Sequence, residues 1–261
     1  MLGKLIKYDL KWINKAIYVY SVVLLLVAIA VKIVESIDQT LFLVIVDKIL
    51  SGTFIATAIS MSITCIMRIW SRFITNIYKD ESYLTHTLPI TKSQIFNSKV
   101  IAGLLSILMT TLVIIACVAI VALNENTIDS LKIMYDSLVQ TYNGTYAVLF
   151  IIGIVLLIAL EIIFFMISGI FGIVVGHSFN NYKMLISIIV GILSYCLLST
   201  VSLIIMGILS EVADFEIVNN AFPSLRTLKI MGFTSIGIYL LFNLSYYFIA
   251  KKILNRGVNV D

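Results

Sequence analysis

Charge is scarce in this sequence: 12% of its 261 residues are charged and 61% are hydrophobic. A soluble domain carries roughly 25% charged residues, so the deficit excludes an ordinary globular protein. Proline is rarer still, with two residues, and the three cysteines (Cys65, Cys117, Cys196) fall in separate apolar runs. An odd count scattered through such runs gives neither a disulfide framework nor a clustered metal site, which leaves apolar packing as their role. Catalytic signatures are missing as well. No G-x-x-x-x-G-K-[ST] loop is present, so the chain cannot itself cradle and hydrolyse ATP. H-E-x-x-H, G-x-S-x-G and paired intramembrane acids are absent, and His86 and His177 lie far apart with no ligating neighbours in sequence.

What fills the space is apolar sequence. Mean hydropathy is +1.08, and continuous apolar runs cover 17–34, 51–67, 100–123, 147–176, 184–208 and 230–250. A membrane span needs about 20 such residues, more when tilted, so the runs predict an all-α membrane protein of six transmembrane helices. The whole chain, 1–261, is then one transmembrane domain. An even number of spans puts both termini on one side. With the N-terminus in the cytosol, thirteen of the 18 lysines and arginines lie inside and five outside, as the positive-inside rule requires. The net charge of +4 therefore reflects topology and anionic lipid, not nucleic acid.

Residues 2–18 precede the first span with Lys4, Lys7, Lys11 and Lys15 at three- and four-residue intervals, a single basic stripe. Leu5, Tyr8, Trp12, Ile13 and Ala16 turn mostly away from it. Such a helix is expected to lie in the headgroup plane, with Lys4, Lys7, Lys11, Trp12 and Lys15 as membrane-interface anchors. A signal peptide cut after Ala28-Ile29-Ala30 is disfavoured by the long basic leader and by the five spans that follow. The second span continues past the membrane, because Ile69, Trp70, Phe73 and Ile77 prolong an apolar face while Arg68 and Arg72 stand four apart.

The polar stretch it reaches, Y-K-D-E-S-Y-L-T-H-T-L-P-I-T-K-S-Q-I-F-N-S-K over 78–99, is the longest on the basic side. Asp80, Glu81 and Ser82 suit the first turn of a helix, whose backbone N–H groups lack partners. Tyr83, Leu84, Thr87 and Leu88 give that piece a small apolar face, and Pro89 ends it. Thr91-Lys92-Ser93-Gln94 is a capping box that starts the next helix and runs directly into the third span. A short surface helix rigidly joined to a membrane helix can pass a push into the bilayer.

Beyond the third span, Ile128, Leu131, Tyr135 and Leu138 predict a short helix in the outer loop 124–146. Asn143-Gly144-Thr145 there is a glycosylation sequon that matters only in a eukaryotic secretory pathway. The fourth run contains Glu161, the one deeply intramembrane ionisable group. It marks either a polar spot on a substrate path or dimer interface, or a carboxyl hydrogen-bonded to serine and threonine on a neighbouring helix. Gly172-x-x-x-Gly176 allows close helix approach. Residues 177–183 are expected as a solvated turn, and the apolar outer segment 211–229 as one that dips back into the interface. There is no inverted repeat.

The basic N-terminal helix, the six spans and the stretch K-D-E-S-Y-L-T-H-T-L-P-I-T-K-S-Q-I-F-N-S-K together resemble ABC-2 type transporter permeases. More narrowly, the chain is similar to the small permeases of Gram-positive bacterial peptide and multidrug exporters. The resemblance covers the whole topology, and about twenty residues at the level of sequence. It implies that residues 2–18 are an elbow helix and that 78–92 form a coupling hairpin. That hairpin would dock on a separate cytosolic ATP-binding-cassette subunit through Asp80, Glu81, Tyr83, Leu84, Thr85, His86, Thr87, Leu88 and Pro89, with Lys99 as the family's downstream lysine. The chain itself would be no enzyme and hold no cofactor; ATP and Mg would bind the partner subunit. A second permease subunit, identical or homologous, would complete the path in a bacterial cell membrane, and the cargo would be amphipathic or hydrophobic, membrane-active peptides first, with lipids and hydrophobic drugs as the alternatives. Two other classes remain open: a non-transporting immunity or sensory partner, and an ion-coupled secondary transporter that depends on Glu161.

Overall fold

The computed structural model describes residues 2–37, 40–79, 81–87, 89–212, 217–218 and 222–257. Among these the chain forms α1 (Leu2–Glu35), α2 (Leu41–Ile77), α3 (Ser82–Thr87), α4 (Lys92–Ala122), α5 (Glu125–Gly176), α6 (Lys183–Val212) and α7 (Leu225–Arg256). A two-residue antiparallel ladder, Ile217–Val218 with Phe222–Pro223, lies between α6 and α7. All but α3 are long and apolar enough to cross a membrane, and each contains one of the six apolar runs. The chain divides into two compact units, Met1–Asp129 and Ser130–Asp261.

In the first unit α1 packs on α2 and α4, and α3 sits against α2. The separate interfacial helix expected over 2–18 is not there, because α1 runs unbroken through 34 residues. Nothing between Asn14 and Ser21 can stop a helix, since that stretch has neither proline nor glycine. At about 1.5 Å per residue α1 is roughly 51 Å long, against a hydrocarbon core of about 30 Å. Its buried face is Asp9, Ile13, Asn14, Ile17, Leu24, Ala28 and Val31, in which Asp9, Ile13, Ile17, Leu24, Ala28 and Val31 form a stripe of four- and three-residue steps and their sums. Lys4, Lys7, Lys11 and Lys15 are all exposed on the other side. At the far end of the unit, Lys32 and Glu35 both hydrogen-bond the side chain of Asn124.

The extension of α2 beyond its apolar core is also as its pattern requires. Ile69, Phe73 and Ile77 are buried, and Phe73 meets Phe96 of α4 edge-on with ring centroids 6.0 Å apart. The capping box at Thr91 forms in full: Thr91 Oγ1 accepts from Gln94 N at 3.3 Å and Gln94 Oε1 accepts from Thr91 N at 3.3 Å.

The helix α5, which belongs to the second unit from Ser130 on, contains the outer-loop helix and the fourth run, joined across a break at Asn143, where φ is 65°. Asparagine is the non-glycine residue that tolerates positive φ best. Leu138, Tyr142 and Ala147 on either side of the break are buried together, with Leu225 and Leu228 of α7 packed against them. Residues 178–182 are an exposed turn, but His177 is 2% exposed and its Nδ1 lies 2.9 Å from the carbonyl of Ile173. Below Glu161 the backbones of α5 and α6 touch. A Cβ on Gly172 would stand 2.5 Å from the carbonyl of Ser187 and 2.7 Å from the nitrogen of Gly191; one on Gly176 would stand 2.7 Å from the carbonyl of Lys183. These are backbone atoms that cannot rotate aside.

Gly172→Ala and Gly176→Ala should each therefore destabilise the second unit by about 1–3 kcal/mol, the usual cost of overpacking. Gly153→Ala, where nothing lies within 4 Å, is the matched control. Thermal unfolding in detergent separates them: the first two should lower the midpoint and the third should not.

Candidate functional site

The short helix α3 and what holds it form the first candidate site. Two buried small residues, Ser82 and Thr85, are 3% and 4% exposed and face inward, three apart on the six-residue helix. Tyr83 and Leu84 point the other way and are 78% and 68% exposed. The Thr85 hydroxyl donates to the carbonyl of Glu81 at 2.9 Å, and Glu81 N donates to the carbonyl of Thr75 at 3.2 Å, which folds the hairpin back on the end of α2. Thr87 and Pro89 are exposed. His86 belongs to α3 by its backbone, while Asp80 and Leu88 lie outside the described residues.

Beneath α3 four charged side chains from four segments meet. Asp9 of α1 is 1% exposed, and its Oδ1 takes Arg72 Nε of α2 at 3.0 Å and Lys99 Nζ of α4 at 2.5 Å. Arg72 also reaches Glu81 Oε2 through Nη1 at 2.6 Å, and Asn76 Nδ2 donates to the same oxygen at 2.8 Å. Two acids and two bases leave the cluster formally neutral, which is what makes its burial tolerable. Trp12 adds a lid. The Arg68 guanidinium lies 4.0 Å from its ring centroid and donates to its carbonyl at 2.8 Å, and Arg72 lies 5.3 Å from the same ring. The ring expected as a waterline anchor is thus engaged within the unit.

Glu81, expected as a contact for another protein, is also ion-paired within the unit, and Lys99, the downstream lysine of the resemblance, is 4% exposed and turned into Asp9. Burial on its own would raise the Glu81 carboxyl, but the Asn76 hydrogen bond and the Arg72 charge outweigh it and hold it below the ordinary glutamate value. Asp9 is the residue that sequence reasoning passed over. Its signal was there: a lone acid among lysines, four residues before Ile13 and eight before Ile17, on the apolar register rather than the basic one.

The second candidate site is Glu161 of α5. Its Oε1 accepts the Tyr195 hydroxyl of α6 at 2.5 Å, and its Oε2 accepts the Tyr239 hydroxyl of α7. The partners are phenols, not the serine and threonine expected. Phe164, one turn on and fully buried, packs on both tyrosines, with centroids 6.1 and 6.4 Å away, and on Tyr246 at 5.7 Å. Among the described residues no group of three or more His, Cys, Asp or Glu side chains could hold a metal ion.

Fold and sites define a helical membrane protein with two internal polar clusters. No protein-family model, curated protein or solved structure matches the chain.

Removing Asp9 leaves Lys99 buried without its carboxylate beside Arg72, which keeps only Glu81, so Asp9→Asn should cost about 3–5 kcal/mol. The double change Asp9→Asn with Lys99→Met should recover part of that loss, as read by the thermal midpoint of the purified chain. The Glu81 pairing makes a separate prediction about pH. A carboxyl whose folded value is depressed adds stability above its unfolded value and loses it as pH falls through the folded one. The midpoint difference between wild type and Glu81→Gln should therefore persist at neutral pH and vanish on acidification through and below the ordinary glutamate range.

Proposed function

We propose that the chain is the permease subunit of an ABC-2 type exporter, with α3 as the coupling helix that docks on a separate cytosolic ATP-binding-cassette subunit. One observation carries this: a six-residue helix exposes a tyrosine and a leucine, while Glu81 at its base is ion-paired to Arg72 of α2, which in turn shares Asp9 of α1 with Lys99 of α4. An exposed apolar pair on a loosely held loop could bind but could not transmit force. Held as it is, α3 would carry α1 and the α4 helix with it when two ATPases close around ATP and Mg, tilting the bundle between two access states. The amphipathic first half of α1 fills the elbow's role as the extension of a long helix. The ends carrying α3 and the termini are cytosolic on this account, in a bacterial cell membrane. Six helices are too few to enclose a wide path, so a second permease copy or homologue completes it, and Glu161 lies on that path or at that interface. Greasy walls with a single acid suit amphipathic cargo, membrane-active peptides first.

Tyr83 and Leu84 are exposed, so replacing them should spare the fold. Leu84→Asp should leave the stability, read by the thermal midpoint, within about 0.5 kcal/mol of wild type. It should weaken the ATPase partner's binding by about 2 kcal/mol, roughly thirtyfold, as expected for a central apolar contact. The check is the ATP turnover of the detergent-purified complex: stimulated or coupled in wild type, lost or uncoupled in Leu84→Asp. Equal transport-linked turnover in both proteins would remove α3 from the coupling role.

A further inference from the structure

The exporter reading uses Glu161 only as a polar spot, yet its surroundings are more specific than that. Three helices deliver the cluster on matching registers: Glu161, Phe164 and Phe165 from α5, Tyr195 from α6, and Tyr239 and Asn243 from α7. The two phenol hydroxyls fix the carboxylate but bring no positive charge, and among the described residues no lysine, arginine or histidine forms an ion pair with it. A carboxylate in hydrocarbon, held by neutral donors alone, attracts any cation that can enter from the lipid or the bundle.

A second observation points the same way. Asn243 is 6% exposed, and its Nδ2 donates to the carbonyls of Tyr239 at 2.9 Å and Leu160 at 3.4 Å, directly beside Glu161. Its Oδ1 is buried and, among the described residues, has no hydrogen-bond donor. A buried acceptor without a donor is costly unless something occupies it. The place where a carboxylate has no counter-ion is thus also the place where an amide oxygen has no donor. Aromatic rings complete the lining. Tyr195 meets Phe164 and, edge-on, Phe165 at 5.8 Å, while Tyr239 meets Phe164. Ring faces attract organic cations and repel anions. Access is open, since Glu161, Tyr195 and Tyr239 are only half-buried and Phe165 is 43% exposed.

We infer that Glu161, Tyr195, Tyr239 and Asn243 form a binding site for a hydrophobic organic cation within the membrane-spanning part of the second unit. The carboxylate supplies the charge, the rings supply the apolar and cation–π contacts, and the Asn243 oxygen accepts from a cation that carries N–H groups. As a cargo site this rests on the exporter reading. As a cation site it stands on the chain alone, so the test omits any ATPase partner and the two can fail independently.

The probe is tetraphenylphosphonium, titrated calorimetrically against the detergent-purified full chain, with tetraphenylborate as an isostere of opposite charge. Saturable phosphonium binding, at least about tenfold weaker in Glu161→Gln and absent for the borate, is the expected result. Equal binding of both ions, no saturable phosphonium binding, or unchanged affinity in Glu161→Gln overturns the inference. Should Glu161→Gln fail to fold, the wild-type chain still decides it. A hydrophobic carbodiimide should modify Glu161, located by peptide mass, and tetraphenylphosphonium but not tetraphenylborate should suppress that modification. Modification that neither ion alters, or that both suppress equally, overturns it as well.

Discussion

The buried Asp9 carboxylate is the constraint on which the first unit depends. One oxygen of it holds Arg72 at 3.0 Å and Lys99 at 2.5 Å, so three helices are tied at a single atom. Arg72 passes the tie on to Glu81 and hence to α3. Burying ions is expensive, and a hydrophobic replacement of similar volume is often as stable. What the ionic cluster adds is directionality. Phe73, Ile77, Tyr78, Ile95 and Phe96 would fill this end of the unit in several registers, whereas the charge pairs accept one.

That tie gives the exposed face of α3 its meaning. Ser82 and Thr85 are too small to hold a six-residue helix by burial alone, and a helix of that length has no stability of its own. The capping box at Thr91 and the ion pairs fix both ends of the hairpin, which leaves Tyr83 and Leu84 as a rigid apolar projection. The second unit applies the same economy of charge differently. Backbone contact at Gly172 and Gly176 draws α5 against α6, and the Glu161 carboxylate draws the Tyr195 and Tyr239 hydroxyls of α6 and α7 to one point.

Much of this was legible in the sequence, because hydrocarbon leaves little choice. Six apolar runs can only become helices in a membrane, and the capping box at Thr91, the stop at Pro89 and the buried face of Ile69, Phe73 and Ile77 follow from local rules. What was not legible depended on contacts distant in sequence. Asp9 and Lys99 are ninety residues apart, and nothing local distinguishes an acid that pairs across a bundle from one that faces water. The unbroken α1 was obscured by a different confusion: a basic amphipathic stripe has the same periodicity whether its helix lies in the interface or prolongs a span. For Glu161 the need for a partner was plain, but phenols replaced the expected serine and threonine, since only a long side chain reaches from α6 and α7 to the same carboxylate.

The central claim is that α3 presents Tyr83 to another protein and not to lipid. A photo-activated cross-linking residue placed at position 83 in intact membranes of the cells that produce the chain tests it most directly. The account predicts one dominant protein adduct, with an ATP-hydrolysing subunit. Adducts to lipid alone, or to proteins without ATPase activity, would contradict it.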